Sequence, residues 1–205
     1  MNPSICRPLL WAGVLAVAAA LPAFGQTAAP AEVEVSGVKF GNVRQPNSQV
    51  MWYEGVIELT TKLPSDGGKF TDRVKVTLNL CTEASAGKKQ MNFYRASAEL
   101  VALENGKAEV RFYLPPEIAK RDMLRGDLSA KYYFVELSVG GKALPTVKSD
   151  VSASLPSPAA LEGFRSKISS EAAANDGILL PQYLTFFAYD SSRPSPSFVR
   201  LENAH

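Results

Sequence analysis

Apolar and polar residues alternate along much of the chain, which is the pattern of β-strands that bury one face. The alternation is clearest in residues 70–82, where Val74, Val76, Leu78 and Leu80 share an apolar face. It predicts further strands at residues 32–43, 49–63, 90–103, 110–114, 131–139 and 142–148. About seven strands at this spacing are typical of a mainly β fold, and we predict an immunoglobulin-like β-sandwich.

Glycine and proline residues mark the connections between these strands. Asn105-Gly106 stands between two apolar runs and predicts a type I′ β-hairpin, because both central residues of that turn need positive φ. Gly37 indicates a bulge or bend, and Gly140-Gly141 indicates a turn into the last strand. Pro115-Pro116 stop a strand and, with Glu117 in the first turn, open a short helix.

The surroundings of two side chains, Cys81 and Trp52, do not follow from the alternation alone. Cys81 shares a face with Thr77 and Asn79, opposite the apolar face of its strand. Either another element covers Cys81, or its thiol is available for an intermolecular disulfide. Trp52, next to Tyr53 on the second strand, either packs in a core or offers a stacking surface to a carbohydrate or peptide.

A helix is predicted after the sandwich domain, which we place at residues 32–150. Ser157 suits the N-cap and Pro158 suits the first turn, and Asn175-Asp176-Gly177 is suited to end the helical region. The apolar face of this helix consists of Leu161, Phe164 and Ile168. Residues 151–190 are therefore interpreted as a C-terminal helix followed by a docking segment.

Residues 178–189 are too apolar to lie in water and, interrupted by Pro181, too short to span a bilayer. We expect this segment to dock on the sandwich, partly as an edge strand with Pro181 at one end. The side chains expected to hold it there are Leu179, Leu180, Leu184 and Phe186. In the alternative the segment contacts a partner protein, and the candidate partner-binding residues are Leu179, Leu180, Tyr183 and Phe187. Residues 191–205 are predicted to be a mobile tail.

The N-terminal residues predict export. Arg7 is followed by an apolar run from Leu9 to Leu21, and Ala23-Phe24-Gly25 offers small residues at a signal-peptidase site. We predict a cleaved signal peptide at residues 1–25 and a flexible leader at 26–31; an uncleaved N-terminal anchor is the alternative. The predicted location is periplasmic, outer-membrane-associated or extracellular, with no integral membrane segment after cleavage.

Charge and residue usage narrow the chemistry. The 22 basic and 20 acidic residues are balanced, so nucleic acid is not an expected partner. The only histidine is His205, which disfavours Ser-His-Asp and Cys-His catalysis and histidine-ligated zinc. The chain also has neither a glycine-rich phosphate loop nor a Cys-x-x-Cys motif. No cofactor, metal site or enzymatic activity is predicted.

Two alternatives remain open at this point. A carboxylate-dependent hydrolase needs only two facing acids, and its candidates are Glu54, Glu58, Asp72, Glu99, Glu117, Asp122 and Asp127. A carbohydrate-binding module needs exposed rings, and its candidates are Trp52, Tyr94, Tyr132 and Tyr133. The basic residues around Asp122 are interpreted as a solvated helical turn.

Four short stretches carry a resemblance to known proteins: FTDRVKVTL at 70–78, FYRA at 93–96, RFYLPPE at 111–117 and GGKALP at 140–145. They resemble exported immunoglobulin-like β-sandwich proteins of Verrucomicrobia-like bacteria. Those proteins are similar to a secreted protein associated with type IV pilus genes in a mucin-degrading relative. The shared motifs are structural, so the resemblance implies the fold and an envelope setting and transfers no site residues.

These observations favour a non-catalytic secreted or cell-envelope adaptor that binds envelope or pilus proteins. The cleavage site of a type IV pilin precedes the apolar run, whereas the site here follows it at Gly25-Gln26. Any role in a pilus is therefore expected to be accessory. The sequence leaves the oligomeric state open.

Overall fold

The computed structural model describes residues 31–65, 68–84, 90–124, 126 and 130–199. The predicted signal peptide at 1–25, all of the leader except Ala31, and residues 200–205 lie outside this range. The strands are β1 (Glu32–Arg44), β2 (Met51–Lys62), β3 (Val74–Glu83), β4 (Met91–Leu100), β5 (Gly106–Leu114), β6 (Ala130–Val139), β7 (Lys142–Ala143) and β8 (Leu180–Pro181). The α-helices are α1 (Pro116–Arg121) and α2 (Pro158–Glu171).

The strands form two antiparallel sheets, with the order β1-β2-β5-β8 in the first and β4-β3-β6-β7 in the second. The predicted immunoglobulin-like β-sandwich is therefore confirmed. Its main core contains the apolar face of β3 predicted from the alternation, together with inward side chains of the facing sheet such as Ile57, Leu59 and Phe112. The bulge expected at Gly37 is also present, since the β1–β2 register shifts between Val35 and Gly37.

The hairpin predicted at Asn105-Gly106 is wrong. β4 pairs with β3 in one sheet, whereas β5 pairs with β2 in the other, so the connection crosses between sheets. Gly106 has a φ of +123°, but among the described residues Asn105 is not one of those with positive φ. The buried side chain of Leu103 explains the crossing, because it draws the chain into the core before the turn. The side chain of Asn105 instead accepts a 3.2 Å hydrogen bond from the backbone of Leu63.

The last predicted strand is much shorter than expected. Gly140 and Gly141 make the turn with φ of +56° and +79°, conformations that favour glycine. β7 then pairs over only two residues, where residues 142–148 had been predicted. Pro145 lacks the N–H that a continuing ladder needs, and a 3-10 turn follows at Lys148–Asp150.

Helix α2 covers the outer face of the second sheet. Its N-cap is Ser157, whose hydroxyl accepts a 3.2 Å hydrogen bond from the Ala160 N–H, as the local sequence predicted. The buried cluster beneath the helix consists of Cys81, Phe93, Phe134, Phe164, Ile168 and Ala172. Cys81 is completely enclosed, so the expectation that it could form an intermolecular disulfide is wrong. Burial also raises the pKa of this thiol to about 12.

The C-terminal segment covers the outer face of the first sheet. Its first part is β8, which extends the sheet beside β5 and ends at Pro181, as predicted. Two 3-10 turns follow, Gln182–Leu184 and Phe186–Tyr189. Leu179, which precedes these turns, is buried as expected. Leu184 and Phe186 point into solvent, contrary to the prediction, because the chain is no longer extended in the turns.

The start of the predicted mobile tail differs from the expectation. Phe198 lies opposite Leu100 on the edge of β4 and packs against the main core. The carbonyl of Pro194 accepts a 2.7 Å hydrogen bond from Arg111. Partial burial of the Phe198 ring and the hydrogen bonds to β4 and Arg111 contribute to ordering residues 191–199, and the composition of the tail does not reveal these contacts. Within the described residues, no helix has both the length and the hydropathy needed to cross a membrane.

Candidate functional site

The four candidate partner-binding residues divide into two groups. Leu179 and Phe187 are 3% and 0% exposed, so these side chains anchor the segment and are not accessible to a partner. Leu180 and Tyr183 are half-buried, and the Tyr183 ring packs against Phe198 with centroids 5.1 Å apart. For these two residues partner contact stays a prediction.

The exposed apolar side chains of the segment are a different set. Leu184, Phe186 and Tyr189 are 59%, 64% and 88% exposed, although they lie within six residues of one another. We call these three residues the apolar ridge. Exposure of Tyr189 was not predicted from the sequence, and Leu184 and Phe186 were expected to pack on the sandwich, because the 3-10 turns select which side chains face inward and no alternation reveals that choice.

The ridge adjoins a second apolar surface at the end of the sandwich. The Phe186 ring meets Trp52 edge-on with centroids 5.9 Å apart. Trp52 in turn lines a groove of about 450 Å³ beside α1. Val50 and Met51 at its mouth are both exposed. Ridge and groove thus present apolar surface on one side of the molecule, which is the kind of surface that proteins use to bind one another.

A largely buried polar network holds the base of the ridge. Glu54 accepts a 2.8 Å hydrogen bond from the Tyr113 hydroxyl and another of 2.8 Å from Arg193. Arg111 approaches the same carboxylate at 3.7 Å. Burial, followed by the adjacent Glu54 charge, raises the pKa of Tyr113 above its ordinary range, so the phenol stays a donor.

Gln182 ties the two 3-10 turns and the start of the tail together. Its side-chain amide donates to the carbonyls of Phe187 at 3.0 Å and Arg193 at 2.8 Å. Phe187 lies beneath, stacked on the Tyr113 ring with centroids 4.4 Å apart. The ridge therefore projects from a rigid base, which reduces the conformational entropy lost on binding.

In the described part of the chain, four of the seven acidic candidates form ion pairs with neighbouring cations. Glu58 pairs with Lys39 and Glu99 with Arg73, while Glu54 belongs to the network described above. None of the candidate acids that the structure describes lines the groove beside α1 or the groove between β4 and the C-terminal end of α2. Asp127 lies outside the described residues.

Asp122 corrects one interpretation of the sequence. It was placed in a solvated helical turn, but its side chain is buried at the end of α1. The carboxylate accepts hydrogen bonds from the Tyr94 hydroxyl and from Arg121, the latter at 2.7 and 2.9 Å. Helix α1 packs on the main core through Ala119, and this packing also buries the Asp122 side chain at the end of the helix.

The aromatic candidates for carbohydrate binding are not presented on a surface. Trp52 is 7% exposed and Tyr94 is completely buried. Tyr132 and Tyr133 are half-buried and pack against Phe164 and Phe40, respectively. The carbohydrate alternative therefore has no exposed ring among its four candidates. In the described ranges, no group of three histidine, cysteine or acidic residues is arranged to hold a metal ion.

Comparison with known proteins identifies the fold. A crystal structure of a protein from Akkermansia muciniphila has a TM-score of 0.65 to this chain at 17% sequence identity. The match covers 83% of this chain and 94% of that chain. No protein-family description and no curated protein matches the sequence.

Proposed function

We propose that this protein is a non-catalytic exported protein of the cell envelope that binds another protein through the apolar ridge. The observation that carries the proposal is the exposure of Leu184, Phe186 and Tyr189 on a base that is itself buried and hydrogen-bonded. Complete burial of one such side chain contributes about 1.5–3 kcal/mol, so the ridge supplies a concentrated binding surface.

The proposed partner class is the proteins of the envelope, with an accessory role in type IV pili as the specific form. The sequence resembles exported proteins that are themselves similar to a secreted protein associated with type IV pilus genes, and this resemblance supports the proposed setting. The balanced charge of 22 basic and 20 acidic residues favours apolar recognition over long-range electrostatic attraction.

Capture from envelope extracts tests the ridge. The tagged protein is cross-linked in intact cells and compared with the variant Leu184→Ser/Phe186→Ser/Tyr189→Ser. A matched control replaces two exposed apolar residues elsewhere, Phe70→Ser/Val101→Ser. We expect the wild type and the control to recover the same pilus or envelope protein and the ridge variant to lose it. Equal recovery by all three, or repeated recovery of no partner, contradicts the proposal.

Export is tested separately. Cleavage after Gly25 predicts that the protein purified from the envelope or the medium begins at Gln26. Intact-mass measurement distinguishes this product from the uncleaved chain. A protein that retains residues 1–25 and stays with the membrane fraction supports the N-terminal anchor instead.

A further inference from the structure

The exposed edge of the second sheet is only partly covered. At one end of β4, Val101 donates a 2.9 Å hydrogen bond to the carbonyl of Ser197. Val199 donates a 2.7 Å hydrogen bond to the carbonyl of Glu99. The chain after residue 196 thus pairs antiparallel with the last residues of β4, which shows that this edge accepts an added strand.

The other end of this edge is closed by a side chain. The Asn175 amide donates a 2.9 Å hydrogen bond to the carbonyl of Phe93. Backbone groups of successive strand residues point to opposite sides, so Arg95 and Ser97 face the same edge as Phe93 and Glu99. In the part of the chain that the structure describes, no backbone group pairs with the N–H and C=O of Arg95 and Ser97 across that edge.

A groove of about 470 Å³ runs along this open stretch, between β4 and the C-terminal end of α2. Ile168 and Ala172 are buried on its helical side, while Ala173 is exposed at its mouth. Asp176 also lines the groove, and in the described chain its carboxylate accepts only from the Gly177 N–H, at 3.1 Å. Among the described residues, the groove therefore combines backbone groups that have no strand partner, an apolar wall and a carboxylate that forms no ion pair. The Arg95 side chain also lines the groove and pairs with Glu136.

We propose that this groove binds a short extended segment of a partner protein as an added antiparallel strand on β4. Two donors and two acceptors at a two-residue spacing match the backbone of an extended peptide. An aliphatic side chain opposite Ser97 fills the space beside Ile168 and Ala172. A basic residue toward the C-terminal end of the peptide lies near Asp176, because the antiparallel direction carries the peptide from Glu99 toward Phe93.

The geometry disfavours symmetric pairing of β4 with the β4 of a second copy of this chain. Two β4 strands paired about Ala96 would place Phe93 of one copy opposite Glu99 of the other, where Val199 already lies. The open stretch accommodates only a short peptide, since residues 94–98 alone separate the closure at Phe93 from the closure at Glu99. This inference rests on the proposed protein-binding function and assigns it a second contact surface of different chemistry.

Hydrogen exchange of the Arg95 and Ser97 amides tests the proposal. The probe is the synthetic peptide Thr-Val-Thr-Val-Thr-Lys-amide, added to the full chain and followed by NMR. We expect both amides to exchange at least about tenfold more slowly with the peptide, because each gains a hydrogen-bond acceptor. The amides of Tyr94 and Ala96, which face β3, report on the fold and are expected to be unchanged.

Two controls separate strand addition from other binding. A peptide N-methylated at both valines cannot donate its backbone hydrogen bonds and is expected to give no protection. Ala173→Arg fills the mouth of the groove and is expected to abolish protection, whereas Ala174→Arg, also exposed but outside the groove, retains it. Peptide-independent protection that grows with protein concentration indicates a second copy and overturns the proposal. Protection that is already present and is lost on removal of residues 200–205 indicates an internal cover and also overturns it.

The outcome is distinguishable from failure of the ridge. The variant Leu184→Ser/Phe186→Ser/Tyr189→Ser leaves β4 and α2 untouched, so it is expected to show the same peptide protection as the wild type. Absence of protection in the wild type refutes the groove and leaves partner capture by the ridge unaffected.

Discussion

The guanidinium of Arg193 donates a 2.8 Å hydrogen bond to the carboxylate of Glu54, which lies 139 residues earlier in the chain. The two side chains are 27% and 12% exposed, so the pair is largely removed from water. Together with the stacking of Phe187 on Tyr113, this pair attaches the C-terminal segment to the first sheet. The segment that carries the apolar ridge is thereby part of the fold.

The Arg193–Glu54 pair is expected to couple energetically. Arg193→Met should lower the free energy of unfolding by about 1–3 kcal/mol, because Glu54 stays buried and only Arg111 remains to compensate its charge. A double-mutant cycle with Glu54→Gln, measured by urea unfolding, should give a coupling energy of about 1 kcal/mol or more. Strictly additive effects would show that the two side chains act independently.

Neighbouring phenylalanines of the C-terminal segment are expected to behave differently. Phe187→Ala should cost about 3–5 kcal/mol of stability, because it removes a ring that is completely buried against Tyr113 and Trp52. Phe186→Ala should cost about 1 kcal/mol or less, since it loses one edge contact with Trp52. Thermal and urea unfolding of the two variants provide the comparison. Equal destabilisation would contradict the assignment of Phe186 to the binding surface.

Deletion of the C-terminal segment that covers the first sheet is expected to destabilise the protein strongly. Deleting residues 178–205 uncovers the buried rings of Trp52 and Tyr113 on the outer face of the first sheet. We expect a marked fall in melting temperature and binding of the dye ANS to the exposed surface. A truncated protein that melts like the full chain and binds no dye would show that the segment is not part of the fold.

Cys81 is expected to be inert in the folded protein. Its pKa is raised from 9.0 to about 12 by burial, which lowers the thiolate fraction at pH 8 about a thousandfold. The reagent DTNB should therefore react only after unfolding in urea. Phe164→Ala opens the cover over the thiol and should accelerate the reaction in the folded state. Rapid labelling of the native wild type would disprove the enclosure.

Asp150 is expected to make stability depend on pH. Burial raises the pKa of this carboxyl, against hydrogen bonds from Val147 and Ser149 that lower it. The folded state therefore binds the Asp150 proton more tightly than the unfolded state, whose pKa is about 3.9. The contribution of Asp150 to stability is present in full below that value and is lost as pH rises through the folded-state pKa.

Asp150→Asn tests this dependence. The amide oxygen can still accept from the Val147 N–H, which bonds to Asp150 at 2.7 Å, while the buried charge is removed. Relative to the wild type, the variant should gain stability as pH rises above about 4. Asp150→Ala leaves the Val147 N–H unpaired and should lose about 1–3 kcal/mol. Urea unfolding across pH measures both. An Asp150→Asn effect that is the same at every pH would contradict the assignment.

Several local features could be predicted from the chain because neighbouring residues determine them. The alternation at Val74, Val76, Leu78 and Leu80 identified the inner face of β3, since side chains of a strand point alternately to its two faces. Ser157 predicted the start of α2 because its hydroxyl oxygen can accept a hydrogen bond from a backbone N–H in the first turn that has no partner within the helix. Pro181 ended β8 because it lacks a donor.

Relationships between distant residues were decided by the tertiary structure. Asn105-Gly106 has the chemistry of a hairpin turn, yet burial of Leu103 sends β4 and β5 to different sheets. Whether Cys81 is accessible depends on α2, which lies about eighty residues away in the chain. The choice of Phe187 over Phe186 as the buried ring follows from stacking on Tyr113. Local sequence determines which conformations a segment can adopt, but the total area buried across the whole chain determines which contacts form, and that total cannot be evaluated one segment at a time.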